Sequence, residues 1–103
     1  MWAVVPDRTQ LLQNYPNPFN PETWIPYRLS ESAEVEVRIY NVAGKLVRTL
    51  ELGQQKPGTY TGKERAIYWD GRDGNGEYVS SGTYFYHLKA GKFASVKKMV
   101  VIK

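Results

Sequence analysis

Val35-Glu36-Val37-Arg38-Ile39-Tyr40-Asn41-Val42-Ala43-Gly44-Lys45-Leu46-Val47-Arg48-Thr49-Leu50 decides the fold class. Val35, Val37 and Ile39 alternate with Glu34, Glu36 and Arg38. A period of two places the apolar set on one face of a pleated strand and the charged set on the other. Asn41 to Gly44 then reads as a turn, with Gly44 free to take positive φ, and Lys45 to Leu50 returns as the partner strand. A hairpin apolar on one side needs a second layer to cover that side.

Towards the amino terminus, Ile25, Tyr27 and Leu29 alternate with Pro26 and Arg28, a pattern expected to form one edge strand because its proline lacks a donor. Before it stands Asn14-Tyr15-Pro16-Asn17-Pro18-Phe19-Asn20-Pro21. Its three prolines exclude helix and central strand, and Tyr15 and Phe19 supply apolar weight to hold the loop on the body. Residues 1–13 read as a linker from an upstream parent protein, with Trp2, Val4, Val5, Leu11 and Leu12 available to dock. Residues 14–103 read as the folded domain.

Towards the carboxyl terminus, Glu51 to Gly62 carries Gly53, Pro57, Gly58 and Gly62 and is expected as a loop with a short edge strand near Thr59 to Thr61. Ala66 to Trp69, Glu77 to Val79, Thr83 to Lys89 and Phe93 to Ile102 read as further strands, separated by Asp70 to Gly76, Ser80 to Gly82 and Ala90 to Lys92. Tyr84, Tyr86 and Leu88 share one face, opposite Phe85 and His87. About seven short strands without a 3.6-residue pattern predict an all-β, immunoglobulin-like antiparallel β-sandwich. A small barrel is the competing architecture; pairing two sheets buries one-sided strands more simply.

The 103 residues suit one domain, and 42% hydrophobic with 23% charged residues predicts a folded body. Eight of the aromatics are Tyr, suited to half-buried sheet faces. With no Cys, disulfides, thiolate metal sites and thiol nucleophiles are excluded. The net charge of +4 is spread along the chain, which argues against nucleic acid as a partner. No run approaches the ~20 apolar residues of a membrane span, so no membrane insertion is expected. Met1 to Pro6 is too short for the apolar centre of a signal peptide. If the protein leaves the cytoplasm, that signal is expected upstream in a longer parent, and Met1 then reads as a start added to an excised piece.

Chemistry-bearing constellations are sparse. His87 is the one histidine and sits mid-strand without a glycine-flanked serine elbow, so no triad and no enzyme is expected. Glu34 and Glu36 share the solvent face of one strand, not a cleft. Asp70, Asp73 and Asn75 in the acidic glycine-rich loop are the weak candidates for a hard cation such as calcium. Their spacing departs from the calcium-hand pattern and Arg72 intervenes; the alternative is a turn whose acidic side chains bond their own backbone. Gly74-Asn75-Gly76 lacks the lysine and helix of a phosphate loop. Tyr84, Phe85 and Tyr86 point to alternating faces and form no continuous stacking platform. No cofactor is expected.

The order of motifs adds more than any one of them. The Asn-Pro segment, Val35 to Gly44, Trp69-Asp70-Gly71-Arg72-Asp73-Gly74-Asn75-Gly76, Ser81-Gly82-Thr83-Tyr84-Phe85-Tyr86 and Lys98-Met99-Val100-Val101-Ile102-Lys103 follow in sequence. From about Asn14 to Lys103 the chain closely resembles the C-terminal sorting domains of the type nine secretion system (type A). It is similar also to the immunoglobulin-like domain of the flagellar hook-capping protein. The resemblance implies a seven-stranded sandwich at the end of a larger secreted or surface bacterial protein, recognised by secretion machinery at the outer membrane after passage through the periplasm. It implies recognition residues at Lys98, Met99, Val100, Val101, Ile102 and Lys103, together with the Gly82 and Tyr84 step. Gly62-Lys63-Glu64-Arg65-Ala66 makes its loop longer than in many members. The alternative is a structural spacer or adhesion module, carbohydrate-binding among its forms. Strand addition to a free terminal strand is one way such a domain could be read.

Overall fold

Nine strands follow one another in the computed structural model, which describes residues 5–103, so any docking of Trp2 and Val4 lies outside the described residues. They are β1 (Gln10–Leu11), β2 (Thr23–Ile25), β3 (Tyr27–Leu29), β4 (Ala33–Asn41), β5 (Leu46–Gln55), β6 (Gly58–Tyr60), β7 (Ile67–Trp69), β8 (Gly82–Ala90) and β9 (Phe93–Val101). All pair antiparallel: a four-stranded sheet ordered β5-β4-β8-β9 forms one layer, and the small sheets β1-β3-β6 and β2-β7 form the other. This is an all-β, immunoglobulin-like antiparallel sandwich. Among the described residues no helix is long and apolar enough to cross a membrane.

The hairpin of β4 and β5 follows the alternation of its residues, with Val35, Val37 and Ile39 buried and Glu34 and Arg38 exposed. The Asn41 side chain closes its turn by accepting the amides of Ala43 and Lys45, both at 3.0 Å. Beyond Leu50, where a loop was expected, β5 continues to Gln55. Gly53 explains the difference: it opposes Val35 at φ 73° beside a register shift that leaves Leu52 unopposed. A glycine that reads as a loop signal here forms a bulge that bends the strand without ending it.

Pro26 likewise has a different consequence from the one expected. Thr23 to Leu29 does not form one edge strand but two strands in two sheets: β2 pairs with β7, while β3 is central between β1 and β6. A residue without an amide hydrogen cannot continue a ladder, and the chain changes sheets across it. The Pro26 carbonyl still accepts the Leu12 amide at 3.0 Å. Part of the stretch expected as a linker therefore belongs to the fold: Gln10 and Leu11 pair with Arg28 and Tyr27, and Leu11 is buried. Glu77 to Val79 holds only an isolated bridge, Arg72 to Tyr78, in place of a strand.

The core lies between the layers, and its largest fully buried side chains are Trp69, Tyr27, Tyr86 and Phe19. Tyr27 stacks on Tyr60 with ring centroids 4.6 Å apart. No buried side-chain nitrogen or oxygen among the described residues lacks a hydrogen-bond partner, as close packing of a polar-bearing core requires.

Candidate recognition site at the carboxyl-terminal strand

Antiparallel pairing of β8 with β9 brings the two expected recognition elements together, because Gly82 opposes Val101 and Tyr84 opposes Met99. The alternation of β9 divides the terminal motif in two. Met99 and Val101 point into the core and are buried, whereas Lys98, Ile102 and Lys103 are exposed and Val100 is half-buried. Only the second group presents side-chain chemistry to a partner. Tyr84 is also a core residue, its hydroxyl donating to the Ser80 carbonyl at 2.9 Å.

The end of β9 is not a free strand edge. Its outward backbone groups are taken by the Asn-Pro loop: Phe19 donates to the Val100 carbonyl at 3.0 Å, and Ile102 donates to the Phe19 carbonyl at 2.9 Å. The Val100 amide donates to Asn17 Oδ1 at 2.9 Å, and Gln13 Nε2 donates to the Lys98 carbonyl at 2.8 Å. Strand addition at Lys98 to Ile102 would first have to displace this cap.

The cap is itself anchored. Phe19 packs edge-on against Trp69 at 5.7 Å between centroids, and Trp69 against Tyr84 at 6.3 Å. The buried Asn14 donates its Nδ2 to Thr23 Oγ1 at 3.0 Å, and Thr23 Oγ1 donates to the Pro16 carbonyl at 3.0 Å. Tyr86 reaches from β8 to the lead, donating its hydroxyl to the Leu12 carbonyl and accepting the Asn14 amide, both at 2.8 Å. Burial pushes the Tyr86 phenol up to about 12, opposed by the hydrogen bond from the Asn14 amide, so it remains a neutral donor.

The Asp70 to Gly76 loop lies on the other flank. Asp70 Oδ1 accepts the Arg72 amide at 3.0 Å and Arg48 Nη1 at 3.2 Å; Asp73 Oδ1 accepts the amides of Asn75 and Glu77 at 2.9 and 3.0 Å. The acidic side chains bond backbone, as the turn alternative requires. Gly71 is essential to the approach of the two loops: at φ 80° an added Cβ would overlap the Pro21 carbonyl oxygen. The Arg72 guanidinium sits 3.9 Å from the Tyr78 ring centroid, and Lys103 Nζ lies 5.9 Å from the same ring. The Lys103 amide donates to Ser81 Oγ at 3.1 Å. Arg72, Tyr78 and Ser81 thus join the exposed end of the terminal motif. They were not among the expected recognition residues, since nothing local in Tyr78 or Arg72 reports that the last residue returns to them.

His87 stands on the outer face of β8 between Arg38 of β4 and Val96 of β9, away from this patch. Glu36 on that face pairs with Arg38 Nε at 3.3 Å.

A family model described as FlgD Ig-like domain matches residues 21–92, a span that begins after Phe19 and ends before β9. No curated protein matches the chain significantly. Among solved structures, dimeric latent PorU from Porphyromonas gingivalis is 24% identical with a TM-score of 0.73, the match covering 96% of this chain and 10% of that one. PorZ, an essential surface component of the type IX secretion system of the same bacterium, is 24% identical with a TM-score of 0.56, covering 88% of this chain and 11% of PorZ. FlgD from P. aeruginosa is 20% identical with a TM-score of 0.57, covering 95% of this chain and 74% of that one. The chain spans about a tenth of the PorU and PorZ chains. These likenesses show the fold.

Proposed function

The chain belongs to the FlgD Ig-like domain family, and from that premise we propose that it is a non-catalytic secretion and surface-sorting domain of a larger exported bacterial protein. Its partner is a secretion component at the outer membrane, met after passage through the periplasm. Catalysis or adhesion resides in upstream domains of the parent. The observation that carries this reading is the terminal patch: Lys98 stands exposed on β9, and Ile102 and Lys103 stand exposed just past its end, on a segment held by β8 and by the Asn-Pro cap. A recognition tag needs a shape that is already formed, since ordering it on contact would cost affinity. The fold shared with PorZ supports the same reading.

The mode of recognition favoured by the capped edge is a surface reading of side chains, with lysines steering an acidic partner surface. Fusing the whole chain to a periplasmic reporter in a host with the type IX system should carry the reporter to the cell surface. Lys98→Glu with Lys103→Glu should reduce surface delivery severalfold while leaving the melting temperature nearly unchanged, because both side chains are exposed. Undiminished delivery by the double variant, or delivery without the domain, would replace this reading with that of a spacer module.

A further inference from the structure

Away from the terminal patch, three aromatic side chains stand in register across three adjacent segments on the solvent face of the β2-β7 sheet. Tyr15 bridges Trp24, and Trp24 is directly opposite Tyr68. Thr23, Ile25, Ile67 and Trp69, which flank Trp24 and Tyr68, are buried, so those two rings point outward, and the bridge puts Tyr15 on the same face as Trp24. The ring centroids are 6.4 Å apart between Tyr15 and Trp24, whose planes differ by 19°, and 5.5 Å apart between Trp24 and Tyr68. Tyr68 is 47% exposed, and Tyr15 and Trp24 are half-buried. Polar groups rim the row: Glu22 Oε2 accepts the Tyr68 hydroxyl at 2.6 Å, and the Tyr15 hydroxyl donates to the Thr61 carbonyl. Lys63 Nζ rests 4.4 Å from the Trp24 ring centroid.

We propose that Tyr15, Trp24 and Tyr68 form a stacking platform for an extended, equatorially linked polysaccharide. A pyranose ring with equatorial substituents offers a flat face of C–H bonds, which packs on an aromatic face while its hydroxyls project to the rim. Successive rings of a linear glycan then meet successive aromatics, Tyr15 and Trp24 as a near-parallel pair and Tyr68 turned 51° from the Trp24 plane. Glu22, beside the Tyr68 hydroxyl, is the acceptor that fixes the hydroxyls, in the usual division between apolar contact and a few placed polar groups. A proline-rich peptide is the rival occupant, but its readers are grooves walled by aromatics. These rings lie along a sheet face. Lys63, exposed and on the loop Gly62 to Ala66, covers the Trp24 ring until ligand displaces it.

Isothermal titration of the whole chain with cellohexaose, chitohexaose and a proline-rich peptide tests the platform. Both or either of the oligosaccharides should bind, and Trp24→Ala and Tyr68→Ala should each weaken that binding roughly tenfold or more, the scale of losing one stacked ring. Trp24→Phe, which keeps a ring, should recover part of the loss, and Tyr68→Ala guards against a folding effect because Tyr68 is the most exposed of the three. Lys63→Ala should leave affinity unchanged or tighten it by about two- to fivefold, through release of the cation from the ring. Three outcomes would overturn the platform: no oligosaccharide binding at millimolar concentration, binding of the peptide alone, or binding that survives both ring removals. A loss at Lys63→Ala as large as at Trp24→Ala would also overturn it, assigning recognition to charge.

Discussion

Two rows of three aromatic rings run through the same end of the sandwich, one facing inward and one outward. Phe19, Trp69 and Tyr84 meet edge-on in the core, with centroids 5.7 and 6.3 Å apart. Tyr15, Trp24 and Tyr68 lie on the surface, with centroids 6.4 and 5.5 Å apart. Tyr68 and Trp69 are chain neighbours on β7, and a single step along the strand separates the two roles. The inner row joins the Asn-Pro cap to β8 and so holds the end of β9 in place. The outer row makes cross-strand contacts that the fold needs far less, because Tyr68 is exposed and Tyr15 and Trp24 are only half-buried. Composition cannot distinguish them; strand parity does.

The largest expected effect falls on the inner row. Trp69→Ala removes a fully buried ring and the hydrogen bond from its Nε1 to the Arg72 carbonyl, and should destabilise the domain by about 3–5 kcal/mol in urea unfolding. A cost no greater than that of Trp24→Ala would break the comparison.

An intermediate effect belongs to Tyr86, which ties β8 to the lead beside the inner row. Tyr86→Phe leaves the Leu12 carbonyl and the Asn14 amide without their partner and should cost about 1–3 kcal/mol. The same phenol makes stability depend on alkaline pH. Burial raises its pKa from 10.0 to about 12, so its stabilising contribution is complete below pH 10 and disappears as pH rises through 12. Tyr86→Phe should flatten the fall in melting temperature across that window. Tyr27, raised in the same direction by burial, leaves a remainder. A wild-type fall that persists unreduced in the variant would assign the alkaline transition elsewhere.

The smallest effect sharpens the contrast: Trp24→Ala should cost at most about 1 kcal/mol, read as a shift in the urea midpoint without a change in slope. A loss of several kcal/mol would show the outer row to be structural.

Much of the fold was legible. The alternation of Val35, Val37 and Ile39 gave the hairpin and its buried face, and Tyr84, Tyr86 and Leu88 are buried on the face that their spacing implied. The illegible parts are those where a local signal has two physical outcomes. Gly53 could end a strand or bulge it, and Pro26 could mark an edge or a change of sheet. At the candidate recognition site, the sequence order pointed to Lys98 to Lys103 with Gly82 and Tyr84, and the register places Gly82 and Tyr84 opposite Val101 and Met99. Tyr78, Arg72 and the Asn17 to Phe19 cap were not legible there, because their contacts span residues far apart in the chain.

By itself the order of residues determined the faces of individual strands, since side-chain alternation follows from the pleat of a single strand. It also determined the positions of the turns, through glycine, proline, Asn and Asp. Only the tertiary structure decided which edge each strand lies beside, that the last strand's outward carbonyls and amides are capped, and that Tyr15, Trp24 and Tyr68 align. Those are pairings between distant segments, selected by the joint burial of two layers and by hydrogen bonds that no local pattern encodes.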